Sequence, residues 1–172
     1  MHKLPMLLAV LSITGCSTVQ TAESVAVSQV ASANLFRAHG SAAGVATLSQ
    51  RSDGLWLRIV ADAPGRGTYG MHVHAVGRCN GPEFTTAGPH WNPAMKQHGR
   101  DNPMGAHSGD LPNVTANADS KLVMETRLNG AMFSQVIDAD GASVVIHEKA
   151  DDYKTDPSGN SGKRLICGVF KN

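Results

Sequence analysis

The sequence predicts an all-β domain of antiparallel strands, arranged as a sandwich or a barrel. Several segments between residues 55 and 170 alternate apolar and polar side chains with a period of two, as half-buried strands do. Turn sequences such as SDG (52–54), NG (129–130) and ADG (139–141) separate these segments. No segment keeps a helical period over three turns. Together these three observations favour an antiparallel sandwich or barrel.

The composition fits one domain rich in turns. The chain has 172 residues, with 18 glycines and 8 prolines, and its formal net charge is +1. A charge so close to zero gives no indication of a nucleic-acid partner. We place the domain at residues 33–172. Residues 16–32 are small and polar, which predicts a tether with little structure, and the alternative for this segment is an added edge strand.

Residues 1–15 predict a signal peptide of the lipoprotein type. Their apolar run is shorter than the roughly 20 residues that span a bilayer, so it fits a secretion signal. It ends in ITGC, a near match to the bacterial lipoprotein signal, with Ile13 where leucine is usual. We predict a periplasmic or cell-envelope protein that is anchored to a membrane only by lipid on Cys16. Ser17 favours the outer membrane, whereas an ordinary cleaved signal would discard Cys16.

The clearest strand is LWLRIVADA (55–63), in which Leu55, Leu57 and Ile59 share one face and Trp56 and Arg58 share the other. The stretches KLVMETRL (121–128), SVVIH (143–147) and RLICGVF (164–170) alternate in the same way. Two long segments, 77–109 and 148–163, do not fit a simple meander of strands. Long irregular loops in a compact domain are usually functional, so we expect the site to lie there.

The cysteine count predicts a disulfide bond. An exported protein with three cysteines leaves one without a partner. If Cys16 carries lipid, Cys79 and Cys167 remain as a pair, and an oxidising compartment lets them form a disulfide. The closed loop is long, so the bond would stabilise the fold by about 4–5 kcal/mol in the chain-entropy model.

Three histidines on predicted strands form one candidate metal site. His72 and His74 are two residues apart, so on a strand both point to the same face, while Met71 and Val73 face the core. Taken alone, such a pair is most often a surface feature. His147 ends another predicted strand, where a packed or surface histidine is the simpler interpretation. Together the three nitrogens suit Cu(II), with one ligand position left to fill.

The segment HWNPAMKQHGRDNPMGAHSGD (90–110) contains a second candidate site. His90, His98, His107 and Asp110 offer three nitrogens and one carboxylate oxygen, a closed tetrahedral set that suits zinc. The glycines and prolines between them let the chain wrap around an ion without a helix or a sheet. The alternative is a solvated polar loop.

Five motifs identify the chain as similar to a known family. GMHVHAVG, TTAGPHWNP, HSGDLPNVTA, VVIHEKADDY and GNSGKRLICGV together resemble copper/zinc superoxide dismutase, over roughly residues 33–172. The resemblance implies an eight-stranded Greek-key sandwich or barrel, one copper and one zinc ion per subunit, and superoxide as substrate. It allows a homodimer but does not identify the contact surface.

The resemblance also assigns the ligands. The implied copper ligands are His72, His74, His90 and His147. The implied zinc ligands are His90, His98, His107 and Asp110. His90 is in both sets, so it would bridge the two ions through its two ring nitrogens. The implied reaction is 2 O₂⁻ + 2 H⁺ → O₂ + H₂O₂, with copper cycling between Cu(II) and Cu(I), a proton carried by His90, and zinc as a structural ion that orients the bridge.

Three further roles follow from the same resemblance. Arg164 would lie beside the copper and attract superoxide, although without the motif a surface arginine is the commoner case. Asp151 would accept hydrogen bonds from one copper histidine and one zinc histidine, His72 and His98. The disulfide would hold the loop that carries the bridging histidine against the strand of Arg164.

Two other functions are compatible with a metal-binding chain. A module that buffers or delivers copper and zinc would lack some of the copper ligands or the arginine, and this sequence keeps them all. A zinc hydrolase would need an open zinc position and a nearby general base, and the set of three histidines and one aspartate leaves none open.

Overall fold

Alternating apolar side chains form the strands, and almost all regular structure in residues 26–171 is β. The computed structural model describes residues 26–171, so the predicted signal peptide and Cys16 lie outside the described residues. Its elements are β1 (Val27–Arg37), β2 (Ala42–Arg51), β3 (Gly54–Asp62), β4 (Thr68–Tyr69), β5 (Met71–His74), β6 (Val114–Thr115), β7 (Lys121–Leu128), α1 (Phe133–Val136), β8 (Ser143–His147) and β9 (Arg164–Val169). A single 3₁₀ turn covers Thr85–Ala87.

The strands form one curled antiparallel sheet in the order β5-β8-β9-β1-β2-β3-β7, with β4 paired to β6. Only Gly70 separates β4 from β5, so the two are halves of one interrupted strand, and with that count the fold has eight strands. The last strand, β9, returns to pair with the first, as in a Greek key. The predicted fold class is confirmed.

The core lies inside the curl of the sheet. In β3, Leu55, Leu57 and Ile59 are fully buried, whereas Arg58 is exposed, so the predicted faces are confirmed. Strand β8 differs from its prediction, because all five of its residues are buried. The loop that follows β5 covers the outer face of β8, where Val145 packs against Phe84 of that loop. A strand covered on both faces loses the polar half of the alternation.

The predicted tether is wrong for residues 27–32, which form the first half of β1. Ala31 and Ala33 are buried, whereas Val30 is exposed, so this stretch already has the period of a strand. It pairs with β2 along its length, while β9 pairs with β1 only at Phe36 and Arg37. The alternative of an added edge strand therefore describes this half of β1 better than a tether does.

Two long connections carry little regular structure, as the sequence predicts. The first joins β5 to β6, and the second joins β8 to β9. We call them the zinc loop (residues 75–113) and the second loop (residues 148–163). The disulfide between Cys79 and Cys167 is confirmed, with a Cα–Cα distance of 5.8 Å, and it joins the zinc loop to β9. No helix within residues 26–171 is long and apolar enough to cross a membrane.

Candidate metal centre

Two stretches of the zinc loop, around Trp91 and Gly109, lie along the edge of β5. The backbone N–H of Trp91 donates to the carbonyl of Val73 at 2.8 Å, and the N–H of Val73 donates to the carbonyl of Gly109 at 2.9 Å. The N–H of Gly109 in turn donates to the carbonyl of Trp91 at 2.8 Å. A Cβ atom at position 109 would overlap the Val73 carbonyl and the Trp91 backbone, so this approach requires glycine.

This pairing brings loop residues beside the strand histidines. His90 forms a bridge opposite His74, and Asp110 forms a bridge opposite His72. On the other edge of β5, strand β8 ends at His147. The sheet and the loop thus converge on one buried space that no single segment of the sequence encloses.

The four histidines of the predicted copper set lie together. Their ligand atoms are all within 4.8 Å of one another, and all four residues are buried. The Nδ1 atom of His72 and the Nε2 atoms of His74 and His147 are buried and have no hydrogen-bond partner. Buried polar atoms are nearly always paired, so three such nitrogens around one space fit a bound cation.

Hydrogen bonds identify which nitrogen of each ring carries the lone pair. The Nδ1 atom of His74 lies 2.9 Å from the carbonyl oxygen of Gly88, and that of His147 lies 3.3 Å from the carbonyl oxygen of Gly162. A carbonyl only accepts, so Nδ1 donates in both rings and Nε2 keeps a free lone pair. In His72 the donor is Nε2, which leaves Nδ1 free. The three free lone pairs are the same atoms that lack partners.

The four residues of the predicted zinc set surround a second point. The Nδ1 atoms of His90, His98 and His107 lie 2.9, 3.0 and 3.2 Å from Oδ1 of Asp110. The Nδ1 atoms of His90 and His107 are 3.4 Å apart. A tetrahedral ion with ligands at about 2.0–2.1 Å would separate those ligands by about 3.3 Å. The measured separations therefore fit the edges of a zinc tetrahedron.

Ordinary hydrogen bonding does not explain this arrangement. Oδ2 of Asp110 already accepts the backbone N–H groups of Gly99 and His107, each at 3.0 Å. With three ring nitrogens near Oδ1, five groups approach one carboxylate, which offers about four lone-pair positions. The Nδ1 atom of His98 has no aligned hydrogen bond although it lies 3.0 Å from Oδ1. A shared cation resolves both facts, because all four ligand atoms can then point at it.

His72 also lies close to this second group. Its ligand atom is within 4.8 Å of those of His90, His98 and Asp110. We assign it to the copper set, because its free Nδ1 belongs to the three lone pairs described above and its Nε2 is engaged elsewhere. The two groups are adjacent and share His90, as the resemblance implied.

Asp151 connects the two groups by accepting a hydrogen bond from one histidine of each. Its Oδ2 lies 2.7 Å from Nε2 of His72, and its Oδ1 lies 3.0 Å from Nε2 of His98. Each ring therefore donates to Asp151 and turns its Nδ1 lone pair towards its own group. The neighbouring carboxylate of Asp152 instead accepts from Thr155 and Asn160 within the second loop.

Burial keeps the histidines of the copper set neutral. It lowers the pKa of His74 to about 2, that of His147 to about 3 and that of His90 to about 4, and it also lowers the pKa of His72. Burial also lowers the pKa of His98, but the adjacent carboxylates of Asp110 and Asp151 outweigh it and raise that pKa to about 9. A metal ligand must be deprotonated, so the copper set is ready to bind near neutral pH.

Arg164 lies at the mouth of the centre. It is the cross-strand partner of His147, and both line an open cleft of about 960 Å³ together with His90. Its guanidinium donates to the carbonyl oxygens of Phe84 at 2.8 Å and Gly88 at 2.9 Å. These two bonds attach the arginine to the zinc loop and hold its charge at the cleft.

Several residues that position the site were missed by the sequence analysis. The carbonyls of Gly88 and Gly162 orient two copper histidines, but a backbone acceptor leaves no side-chain signal in a sequence. Asn113 holds the backbone of Asp151 through two hydrogen bonds, at 2.8 and 2.9 Å. In the sequence, Asn113 stands out only as a member of the motif HSGDLPNVTA. Asp156, in the second loop, accepts from the backbone N–H of His98 at 2.5 Å.

Comparisons with known proteins agree on one family. The family model described as copper/zinc superoxide dismutase matches residues 42–170. The superoxide dismutase-like protein YojM of Bacillus subtilis is 37% identical over 190 residues, covering 99% of this chain and 96% of that protein. The superoxide dismutase [Cu-Zn] 1 of Aquifex aeolicus is 34% identical over 145 residues, covering 81% and 86%. The crystal structure of a SOD-like protein from Bacillus subtilis superposes with a TM-score of 0.78 at 38% identity, covering 84% and 99%.

The pKa shifts predict a stability maximum near pH 6.5 for the metal-free protein. His74, His90 and His147 have native pKa values below their ordinary 6.5, so the unfolded chain binds more protons and stability falls as the pH drops below 6.5. His98 has a raised pKa, so its contribution is complete below 6.5 and is lost as the pH rises towards about 9. Each group contributes at most about 1.4 kcal/mol per pH unit.

Urea unfolding of the metal-free protein between about pH 4.5 and pH 9 measures this dependence. The metal-loaded protein is the control, because a bound ion keeps His98 deprotonated and should remove the loss of stability between pH 6.5 and pH 9, while the fall below pH 6.5 remains. A free energy of unfolding that does not change between pH 6.5 and pH 4.5 in the metal-free protein would contradict the burial of neutral imidazoles.

Proposed function

The chain belongs to the copper/zinc superoxide dismutase family, and we propose that the two histidine groups hold the metal ions with which it disproportionates superoxide. The reaction is 2 O₂⁻ + 2 H⁺ → O₂ + H₂O₂, which makes the protein an oxidoreductase. The observation that carries the assignment is the group of three buried imidazole lone pairs without partners, next to three histidines whose Nδ1 atoms surround one aspartate oxygen.

Each ion has its own set of residues. The copper set is His72, His74, His90 and His147. The zinc set is His90, His98, His107 and Asp110. When bound, copper supplies the one-electron redox change between Cu(II) and Cu(I), whereas zinc, which has no redox chemistry, supplies a fixed charge. Everything else in the reaction depends on side chains of this chain.

His90 is the residue that can move a proton. Its Nδ1 faces Asp110 and His107 on the zinc side, so Nε2 is the atom left for the copper side. We assign to Nε2 the proton that is taken up in one half-reaction and passed to the peroxide in the other. Because His90 lines the cleft and is 6% exposed, that proton can reach the substrate without crossing the core.

Arg164 binds and orients the anion. The carbonyls of Phe84 and Gly88 hold its guanidinium at the cleft, close to His147. A cation fixed at the mouth of a cleft attracts a small anion and orients it on arrival. Superoxide dismutases work close to the diffusion limit, about 10⁸–10⁹ M⁻¹s⁻¹, where capture of the substrate controls the rate.

The geometry argues against the two other functions. A zinc hydrolase needs an open coordination position for water, and Asp110 and three histidines already close the zinc set. A module that only stores metal has no use for an arginine at an open cleft. In this chain that arginine is held by two hydrogen bonds, each shorter than 3 Å.

The disulfide supports a location outside the cytoplasm, where thiols are not kept reduced. For the finer location we propose that Cys16 carries lipid and anchors the protein in the cell envelope, with the outer membrane favoured by Ser17. The support is the short apolar run that ends in ITGC.

We predict that wild-type protein purified with its metals contains one copper and one zinc ion and dismutates superoxide. His74→Ala should lose copper and activity but keep zinc, because His74 belongs only to the copper set. Metal analysis and a superoxide assay on the same sample measure both. Equal loss of both metals in the variant would contradict separate ligand sets, and a loaded but inactive wild type would overturn the proposed reaction.

Arg164→Ala should lower kcat/KM for superoxide by about tenfold or more and weaken its dependence on ionic strength, because the fixed charge at the cleft is lost. Arg164→Lys should recover only part of the rate, since an ammonium group cannot bond both carbonyls in the same geometry. Arg58→Ala removes an exposed charge from β3 and serves as the control. Unchanged kcat/KM in Arg164→Ala, with full copper content, would exclude the role.

Mass spectrometry of the N-terminus tests the anchor. We expect a diacylglycerol-modified Cys16 as the first residue of the protein in the membrane fraction, and Cys16→Ser should release the protein from the membrane. An unmodified N-terminus beyond residue 16 in the wild type would refute lipidation.

A further inference from the structure

The histidines of the centre differ in how their second nitrogen is held. Four of them donate that nitrogen to a defined acceptor: His72 and His98 to Asp151, His74 to the carbonyl of Gly88, and His147 to the carbonyl of Gly162. A metal-bound histidine almost always has such a partner, which fixes the tautomer and the plane of the ring. His90 uses both nitrogens on the two groups.

His107 is the exception. Its Nδ1 faces Asp110 and His90, but its Nε2 has no hydrogen bond among residues 26–171. The charged group that faces Nε2 is Asp156, whose Oδ1 lies 3.9 Å away. At this separation a small movement or one bridging water molecule completes the contact.

Asp156 is placed for this contact by the backbone of another zinc-set residue. Its Oδ1 accepts the backbone N–H of His98 at 2.5 Å, so the carboxylate of the second loop is fastened to the zinc loop. The side chain is 51% exposed, which leaves it free to approach His107. Pro157 and Ser158, the next two residues, line the cleft that also contains Arg164.

We propose that Asp156 is a positioning residue: it holds the ring of His107 in the ligand orientation and couples the zinc set to the wall of the cleft. The inference rests on the proposed zinc set. It assigns to Asp156 the same task for His107 that Asp151 performs for His72 and His98. The zinc loop and the second loop are then connected at two carboxylates, one buried and one at the rim.

A purely structural role predicts something different. In that case Asp156 would matter only as the acceptor for the N–H of His98, and asparagine would replace it fully, because its amide oxygen also accepts. If the negative charge beside Nε2 of His107 matters, asparagine restores only part of the function and alanine restores none. The two variants therefore separate the two roles.

The experiment compares the full-length wild type with Asp156→Asn and Asp156→Ala. Asp101→Asn, which neutralises an exposed carboxylate on the zinc loop, is the control. Zinc affinity is measured by competition with a chelator, and the zinc site is also loaded with Co²⁺ to record its visible spectrum. We expect alanine to weaken zinc binding about 10- to 100-fold and to shift the Co²⁺ bands, with asparagine in between and the control unchanged.

Each other result has a distinct meaning. Wild-type zinc affinity in both variants would overturn the proposal. Wild-type affinity in Asp156→Asn but not in Asp156→Ala would also overturn it, because Asp156 would then act only as the acceptor for the backbone N–H of His98. Wild-type protein that binds no zinc, or Co²⁺ without tetrahedral bands, would contradict the proposed zinc set itself. If the alanine variant does not fold, asparagine, which keeps the acceptor for His98, still decides between charge and contact.

Discussion

The structure depends on one constraint, which is that neutral imidazoles with unpaired lone pairs are buried side by side. Three copper-set nitrogens are buried and have no hydrogen-bond partner. Without a cation, burial of each of these nitrogens destabilises the fold by about 1–3 kcal/mol, because no hydrogen bond replaces the lost hydration. Burial also lowers the pKa of these histidines, so the imidazoles stay neutral and their lone pairs are available to a cation.

Backbone hydrogen bonds place the ligands of the loop beside those that the sheet carries. The zinc loop pairs with β5 at Trp91 and Gly109 almost as an additional strand would, and Gly109 makes that approach sterically feasible. The disulfide holds the other part of the same loop against β9. The carbonyl of Gly88, which lies between these attachments, accepts from both His74 and Arg164. The Gly88 carbonyl therefore holds His74, which we assign to the copper set, close to the Arg164 guanidinium, to which we assign the binding of superoxide.

The sequence predicts the candidate ligands of this centre, but it does not predict the groups that hold those ligands in place. Strand β3 and the metal-ligand motifs could be predicted because side-chain type and spacing carry them directly. The prediction of a tether is wrong for the first half of β1, because its small alanines and serines give a weak strand signal and its pairing with β2 is not visible in the sequence. The covered outer face of β8 also could not be predicted, because burial there comes from a loop distant in sequence. Gly88 and Gly162 act through their backbone carbonyls, which every residue has, so the sequence gives no sign of their role.

Two carboxylates in the second loop show how the zinc site and the cleft can depend on one another. Asp151 is buried and bonds His72 and His98, so it links the two metal groups rigidly. A Cβ atom at position 159 would overlap Asp151 and His98, so Gly159 lets the loop close over this contact. Asp156 lies at the rim, fastened to the backbone of His98 and followed by residues of the cleft wall. In the proposed assignment, the second loop therefore supports the zinc set and also lines the cleft that leads to the copper set.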